Sequence, residues 1–175
     1  MLGAWTLAVP LILGGGQDEL PPDWKACQSK EGRFAVSMPS APTTMKKAVK
    51  TANGDLTVMS MIADGPKDSF FVVSYSDYGP TEVKGDADKR LEQACKGAVE
   101  SARGKLRGDV KPIKLDDKYP GCEICIEQKG AIVAKMRIYL VDNRLYQVMV
   151  LGNGPFFATG DKDVATFLDS FRLSK

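Results

Sequence analysis

Apolar and polar residues alternate through most of the chain, and this pattern predicts a series of short β-strands. Turn signals such as Asn53-Gly54 and Asp142-Asn143 separate neighbouring segments, so neighbours are expected to pair as antiparallel strands. The alternating segments are 24–28, 34–38, 43–52, 55–63, 69–77, 105–115, 122–129, 132–141 and 144–151.

Two segments change to the period of an amphipathic helix. In Asp86 to Arg103, a face of small and apolar residues suited to lying close on a sheet recurs at helical spacing, with Gly104 at the position of a C′ glycine. Asp161 to Phe171 has apolar residues at i, i+3, i+4 and i+7. The predicted fold class is α+β: an antiparallel β-sheet of about seven to nine strands packed with two main helices, in the order strands, helix, strands, helix.

The first sixteen residues, MLGAWTLAVPLILGGG, contain no charged side chain and precede a polar segment. We interpret residues 1–16 as a signal peptide cleaved after Gly16, residues 17–23 as a leader and residues 24–175 as a single domain. The expected location is the periplasm or cell envelope, and the alternative is an N-terminal anchor in the membrane. The apolar run is shorter than the ~20 residues that a spanning helix needs, and no stable membrane span is expected in the mature chain.

Composition narrows the classes of function. The chain has no histidine, which excludes Ser-His-Asp and Cys-His catalysis and histidine-ligated metal sites. Its net charge of +2 is too small to indicate a nucleic acid as partner. Gly152-Asn153-Gly154 follows a strand, but Pro155 and two phenylalanines stand where a dinucleotide site would begin its helix, so a loop is expected there. No cofactor and no catalytic residue are predicted.

The four cysteines are the main candidates for chemistry. Cys122 and Cys125 form a C-x-x-C motif, but residues three apart in a strand point to opposite faces and lie about 10 Å apart, beyond bridging distance. A metal site needs converging sulfurs, whereas Cys27 and Cys95 are isolated in the sequence. We predict Cys95 and Cys122 as small core residues. In an exported protein one disulfide, for instance Cys27 with Cys95, is an open alternative, because sequence does not fix connectivity.

Tyrosine and arginine, which are enriched at interfaces, recur on one face of the predicted sheet. We predict this Tyr/Arg face as the candidate binding face, with cross-strand packing beneath the second helix as the alternative. Lys46, Lys47 and Lys50 are interpreted as protection of an exposed edge strand, and the alternative is a patch for anionic polymers. The members of the Tyr/Arg face are Tyr75, Asp77, Arg137, Tyr139, Arg144 and Tyr146.

Five segments carry a family resemblance: EGRFAVSMP, VVSYSDY, YPGCEICIE, RIYLVDNRLYQVMVLG and FLDSFRL. With the order of elements, they resemble a group of small exported proteins of planctomycete-type bacteria whose fold is similar to the PsbP, Mog1 and DcrB group. The resemblance covers residues 24–173. It implies an antiparallel sheet between helices that serves as a binding or assembly module: a photosystem subunit in one branch, a GTPase partner in another and envelope proteins in a third. It brings no active-site motif, and fold-level analogy does not transfer those partners.

The sequence therefore predicts a non-catalytic exported module that binds an unknown protein or small ligand. The alternative is a thiol or redox protein that uses Cys125 of the C-x-x-C motif.

Overall fold

The computed structural model describes residues 21, 23–51, 54–79, 86–159 and 161–174, with the side chains of residues 51, 54, 158, 159 and 161 left aside. The predicted signal peptide and the turn residue Asn53 lie outside the described residues. Five strands precede the first helix, five follow it, and two helices and a last short strand close the described chain. The elements are β1 Lys25–Ser29, β2 Phe34–Met38, β3 Thr43–Thr51, β4 Gly54–Asp64, a 3₁₀ turn Pro66–Asp68, β5 Phe70–Asp77, α1 Ala87–Ser101, β6 Lys105–Leu106, β7 Lys111–Leu115, β8 Tyr119–Gln128, β9 Ile132–Val141, β10 Arg144–Asn153, α2 Gly154–Thr159, α3 Asp161–Ser170 and β11 Arg172–Leu173.

The strands form two antiparallel sheets. The main sheet has eight strands in the order β3-β4-β5-β10-β9-β8-β6, with β7 also paired to β8. The second sheet has three strands in the order β1-β2-β11. The predicted α+β class, the antiparallel pairing and the size of the main sheet are confirmed. The second sheet and the α2 helix are additions that the sequence pattern did not predict.

The main sheet is covered over part of one face and over the aromatic core on the other. On one face α1 packs against β8 and β9, around Leu91, Cys95 and Ala98 of the helix. On the other face α3 and the small sheet cover an aromatic core, in which Phe171 stacks on Tyr139 with ring centroids 5.8 Å apart. The domain therefore has three layers: α1, the main sheet, and the small sheet with α2 and α3.

The C-terminal end of α1 differs from the predicted glycine cap. The residue in the left-handed region is Arg103, with φ of 50°, while the N–H of Gly104 donates to the carbonyl of Val99 over 3.3 Å. A Cβ at Gly104 would lie 2.5 Å from Cγ2 of Ile126 and 2.7 Å from the carbonyl oxygen of Glu127. This position requires glycine because β8 approaches closely, and not because of a positive φ.

The loop expected at Gly152-Asn153-Gly154 is wrong. β10 continues to Asn153, and α2 begins at once with Gly154. The side chain of Asn153 caps the helix, because its Oδ1 accepts from the N–H of Phe156 over 2.9 Å. Phe156 is only 1% exposed, so burial of this ring stabilises a helix too short to form alone.

Candidate functional site

Most of the Tyr/Arg face is buried. Tyr75, Tyr139, Arg144 and Tyr146 are each at most 8% exposed. The small sheet and α3 lie over them, so these four side chains do not form an exposed binding face, which corrects that expectation. Their contacts match the alternative, packing beneath the last helix.

Arg144 works as a structural clamp. Its Nε and Nη2 donate to the two carboxylate oxygens of Asp77 over 2.6 and 2.7 Å, and its Nη1 donates to the carbonyl of Glu31 over 2.9 Å. The guanidinium also lies over the ring of Tyr75, 4.5 Å from its centroid. These hydrogen bonds and the ion pair lower the pKa of Asp77 and raise the pKa of Arg144. The Arg144 guanidinium thus makes three hydrogen bonds and a cation–π contact to groups of the protein itself.

Arg137 has a similar structural role. It donates from Nε to Glu123 over 2.9 Å and from Nη1 to Asp169 of α3 over 2.7 Å. The Tyr/Arg face therefore consists of a buried aromatic core, and at its margins Arg137 and Arg144 are ion-paired with carboxylates. Of the six predicted residues, Asp77 alone is classed as exposed, and it is paired with Arg144.

The cysteine pairing differs from the example considered from sequence. Cys95 and Cys122 form a disulfide, because the buried face of α1 lies directly on β8 at this point. Cys27 instead lies in β1, in the layer on the other side of the main sheet, and is free. The geometric argument against a bridge within the C-x-x-C motif is confirmed, since Cys125 is a free thiol opposite Lys135 in β9. Burial raises the pKa of both free thiols, Cys27 and Cys125.

The three lysines of β3 lie on the edge strand of the main sheet, as interpreted from sequence. All three are exposed. Because side chains alternate along a strand, Lys46 and Lys50 project on one face of the sheet and Lys47 on the other. They do not form one continuous basic patch.

A cleft lies on the α1 side of the main sheet, and we call it the α1 cleft. The helix covers β8 and β9, and no helix in the described part of the chain lies above the half of the sheet built from β10, β5, β4 and β3. The cavity between the flank of α1 and this half of the sheet has a volume of about 580 Å³. Its apolar lining comes from α1 and its C-cap (Ala94, Gly97, Ala98, Ala102), from β8 and β9 (Ile126, Ala134, Met136, Leu140), from β10 (Leu145, Met149, Leu151) and from β3 and β4 (Val49, Leu56, Val58).

Small residues on α1 produce the empty space. A Cβ placed on Gly97 would meet no atom within 4 Å. The sequence predicted a small-residue face on this helix that includes Ala94, Ala98 and Ala102 but not Gly97, and it indicated close packing on the sheet. It did not show that the helix would be held toward one edge, because the Cys95–Cys122 disulfide and the lateral position of α1 depend on the tertiary fold.

A few polar groups also line the α1 cleft. Ser74 and Ser76 of β5 are largely buried, and the hydroxyl of Ser74 is 2.8 Å from that of Ser60. Arg90 of α1 carries the one charge among the described lining residues, and no carboxylate is among them. Its guanidinium lies 5.8 Å from the ring centroid of Tyr78.

A second cavity of about 600 Å³ lies on the opposite flank of α1. Its apolar part is formed by Leu91, Val99 and Pro112 and by the disulfide cysteines. The rim cation Lys96 is already paired with Glu92 over 2.7 Å. The described residues of the α1 cleft include one buried side-chain atom without a hydrogen-bond partner, Nη2 of Arg90, whereas the described residues of this second cavity include none.

The described residues contain no cluster of three or more His, Cys, Asp or Glu side chains that would hold a metal ion. Within the same part of the chain, every helix is too short or too polar to cross a bilayer.

Comparison with known proteins gives a likeness of fold. No protein family model matches the chain, and no curated protein matches it. Its structure is similar to the solution structure of cyanobacterial PsbP (CyanoP) from Synechocystis sp. PCC 6803, with a TM-score of 0.48 and 12% sequence identity over 92% of this chain and 98% of that one. PsbP is one member of the fold group named in the sequence analysis, and the similarity concerns the path of the backbone alone.

Proposed function

We propose that this protein is an exported, non-catalytic binding module whose α1 cleft holds a small ligand with an apolar body. The observation that carries the proposal is the cleft itself: about 580 Å³ of space with a mainly apolar lining and a few polar groups. Ligand sites are typically clefts of about 300–1,000 Å³ with this kind of lining.

The walls of the α1 cleft are incompletely buried. Leu56, Val58, Met149 and Leu151 are partly exposed, and Val49 is 37% exposed. Removal of apolar surface from water contributes about 25 cal/mol per Å², so a ligand that covers these side chains gains its affinity mainly from their burial. Other apolar residues of the lining, such as Ile126 and Leu140, belong to the buried core between α1 and the sheet, which supports a preformed site.

Export is supported by two independent features. Residues 1–16 carry no charge, and the Cys95–Cys122 disulfide is of the kind that persists in oxidising compartments. Fractionation of cells followed by mass measurement of the purified protein tests this part. We expect a protein that lacks residues 1–16 in the envelope or periplasmic fraction, and a cytoplasmic protein that retains them would contradict it.

Gly97 offers a direct test of the α1 cleft. The uncharged fluorescent dye Nile red is titrated into the purified protein, and we expect saturable binding with a blue-shifted emission. Gly97→Leu should abolish this binding, because the new side chain extends into open space in the cleft. Gly97→Ala is the matched control, since it adds one methyl group at the same position and should retain binding.

Both variants should remain folded, because nothing lies within 4 Å of the added Cβ and glycine is a poor helix former. Thermal unfolding monitored by circular dichroism checks this. Dye binding that survives Gly97→Leu would place the ligand elsewhere, for example in the second cavity. That result would overturn the assignment of the α1 cleft.

The thiol alternative predicts a reactive Cys125, and the structure argues in the opposite direction. Burial raises the pKa of this thiol, which lowers its thiolate fraction at neutral pH. We expect Cys125 in the folded protein to react with a thiol reagent more slowly than in the unfolded protein. A rate above that of a free cysteine would instead favour the redox function.

A further inference from the structure

We infer that the ligand of the α1 cleft is an amphipathic acid, with a carboxylate bound to Arg90 and an apolar chain along the uncovered half of the main sheet. This inference rests on the proposed function of the cleft. It adds the chemical class of the ligand, which comes from the state of the Arg90 guanidinium.

The Nη2 atom of Arg90 is buried and has no hydrogen-bond partner in the part of the chain that the structure describes. Among the described residues it is the one buried side-chain nitrogen or oxygen in that state. A buried N–H group without an acceptor is costly, and more so when the group is charged, so native structures nearly always provide a partner. A ligand oxygen in the cleft would supply that acceptor.

The partner should be an anion. Arg90 makes no ion pair with a carboxylate of the described residues, and the described lining of the cleft contains no Asp or Glu. Among the described lining residues, no group compensates this positive charge. This differs from Arg137 and Arg144, whose guanidinium groups are both paired with carboxylates. A guanidinium binds a carboxylate through two parallel hydrogen bonds, which gives a planar acid group an advantage over a hydroxyl group.

The rest of the cleft fits the chain of such an acid. From β10 to β3 the floor extends over three strand spacings, about 14 Å, and its side chains are mainly apolar. Arg90 stands in the first turns of α1, beside Tyr78 at the end of β5. The cleft thus has one cationic position and a long apolar surface, the arrangement that an amphipathic acid requires.

The test compares an acid with the alcohol of the same chain length. Dodecanoate and dodecanol are used to displace Nile red from the purified protein. We expect dodecanoate to displace the dye at concentrations at least about tenfold lower than dodecanol, which corresponds to one charge-assisted hydrogen bond in a partly buried site. Arg90→Gln should remove this preference without abolishing binding of the dye.

Lys89→Gln is the matched control. It removes one positive charge from the next residue of α1, which is exposed and outside the cleft lining, and should leave the preference for the acid unchanged. Arg90→Lys retains the charge without the planar fork, so it should retain part of the preference.

Two failures are distinguishable. If dye binding is sensitive to Gly97→Leu but dodecanoate and dodecanol compete equally, or if the preference survives Arg90→Gln, the acid inference is overturned while the proposed function stands. If Nile red does not bind, or binds equally to the Gly97→Leu variant, the proposed function of the cleft fails first.

Discussion

Reduction of the Cys95–Cys122 disulfide should destabilise the domain by an amount that follows from the chain it closes. The two cysteines are 27 residues apart. In the loop-entropy description, a cross-link over this length removes about 12 cal/mol/K of entropy from the unfolded chain, or about 3.5 kcal/mol at 25 °C. For a domain of this size that corresponds to a fall in the melting temperature of about 7 to 14 °C.

Apart from this cross-link, α1 has few buried side chains that hold it on the sheet. α1 packs mainly on β8 and β9, and it buries Leu91, Cys95 and Ala98 as its core-facing residues. Loss of the disulfide therefore removes one of the few fixed points between the helix and the sheet. Because α1 forms one wall of the α1 cleft, reduction should also weaken binding of Nile red.

Urea unfolding with and without a thiol reductant measures the change in the free energy of unfolding. The Cys27→Ala/Cys125→Ala double variant is the control, because it retains the disulfide and has no free thiol to exchange with it. It should lose the same free energy on reduction as the unsubstituted protein. A loss below about 1 kcal/mol in both proteins, outside the usual range for a native disulfide, would refute the argument that this cross-link stabilises the domain by constraining the unfolded chain.

Three further predictions concern stability and are all checked by urea unfolding. Gly97→Ala should stabilise the protein by about 1 kcal/mol, because alanine is a better helix former and its Cβ meets no other atom. Gly104→Ala should destabilise it by about 1–3 kcal/mol, because its Cβ collides with β8, and equal effects of the two substitutions would contradict this difference in space. Asp77→Asn should destabilise the protein near neutral pH, and because the folded-state pKa of Asp77 is lowered, the difference from the unsubstituted protein should shrink as pH falls below about 4; a difference independent of pH would contradict the ion pair. Tyr146→Phe leaves the buried carbonyl of Gly32 without its 2.7 Å donor and should cost about 1–3 kcal/mol, and an unchanged stability would contradict that hydrogen bond.

The strands and both main helices followed from local periodicity, since alternation and helical spacing are properties of neighbouring residues. The error at α2 has a clear cause. Asn153 and Gly154 resemble turn residues in isolation, and only the burial of Phe156 against the aromatic core makes a helix favourable there.

The site could be predicted less well than the fold. Tyr139 follows Lys135 and Arg137 on one face of β9, which is the pattern of an exposed polar face. The layer that covers Tyr139 and Tyr146 comes from β2 and the last residues of the described chain. The α1 cleft was not predicted because its volume depends on the lateral position of a helix. The predicted helix face included the small residues Ala94 and Ala98, which are equally compatible with close packing on a sheet and with an open space, and Gly97 was not part of that prediction.

The small sheet has a consequence for how the protein is made. The last strand of this sheet is β11, in which Leu173 pairs with Phe34 of β2. The ring of Phe34 also packs on Phe171, and the two ring centroids are 5.6 Å apart. Nascent chains emerge N-terminal end first. The small sheet therefore cannot cover the aromatic core until residues 171–173 have left the ribosome. A chain that ended before them would leave Phe34 exposed to water.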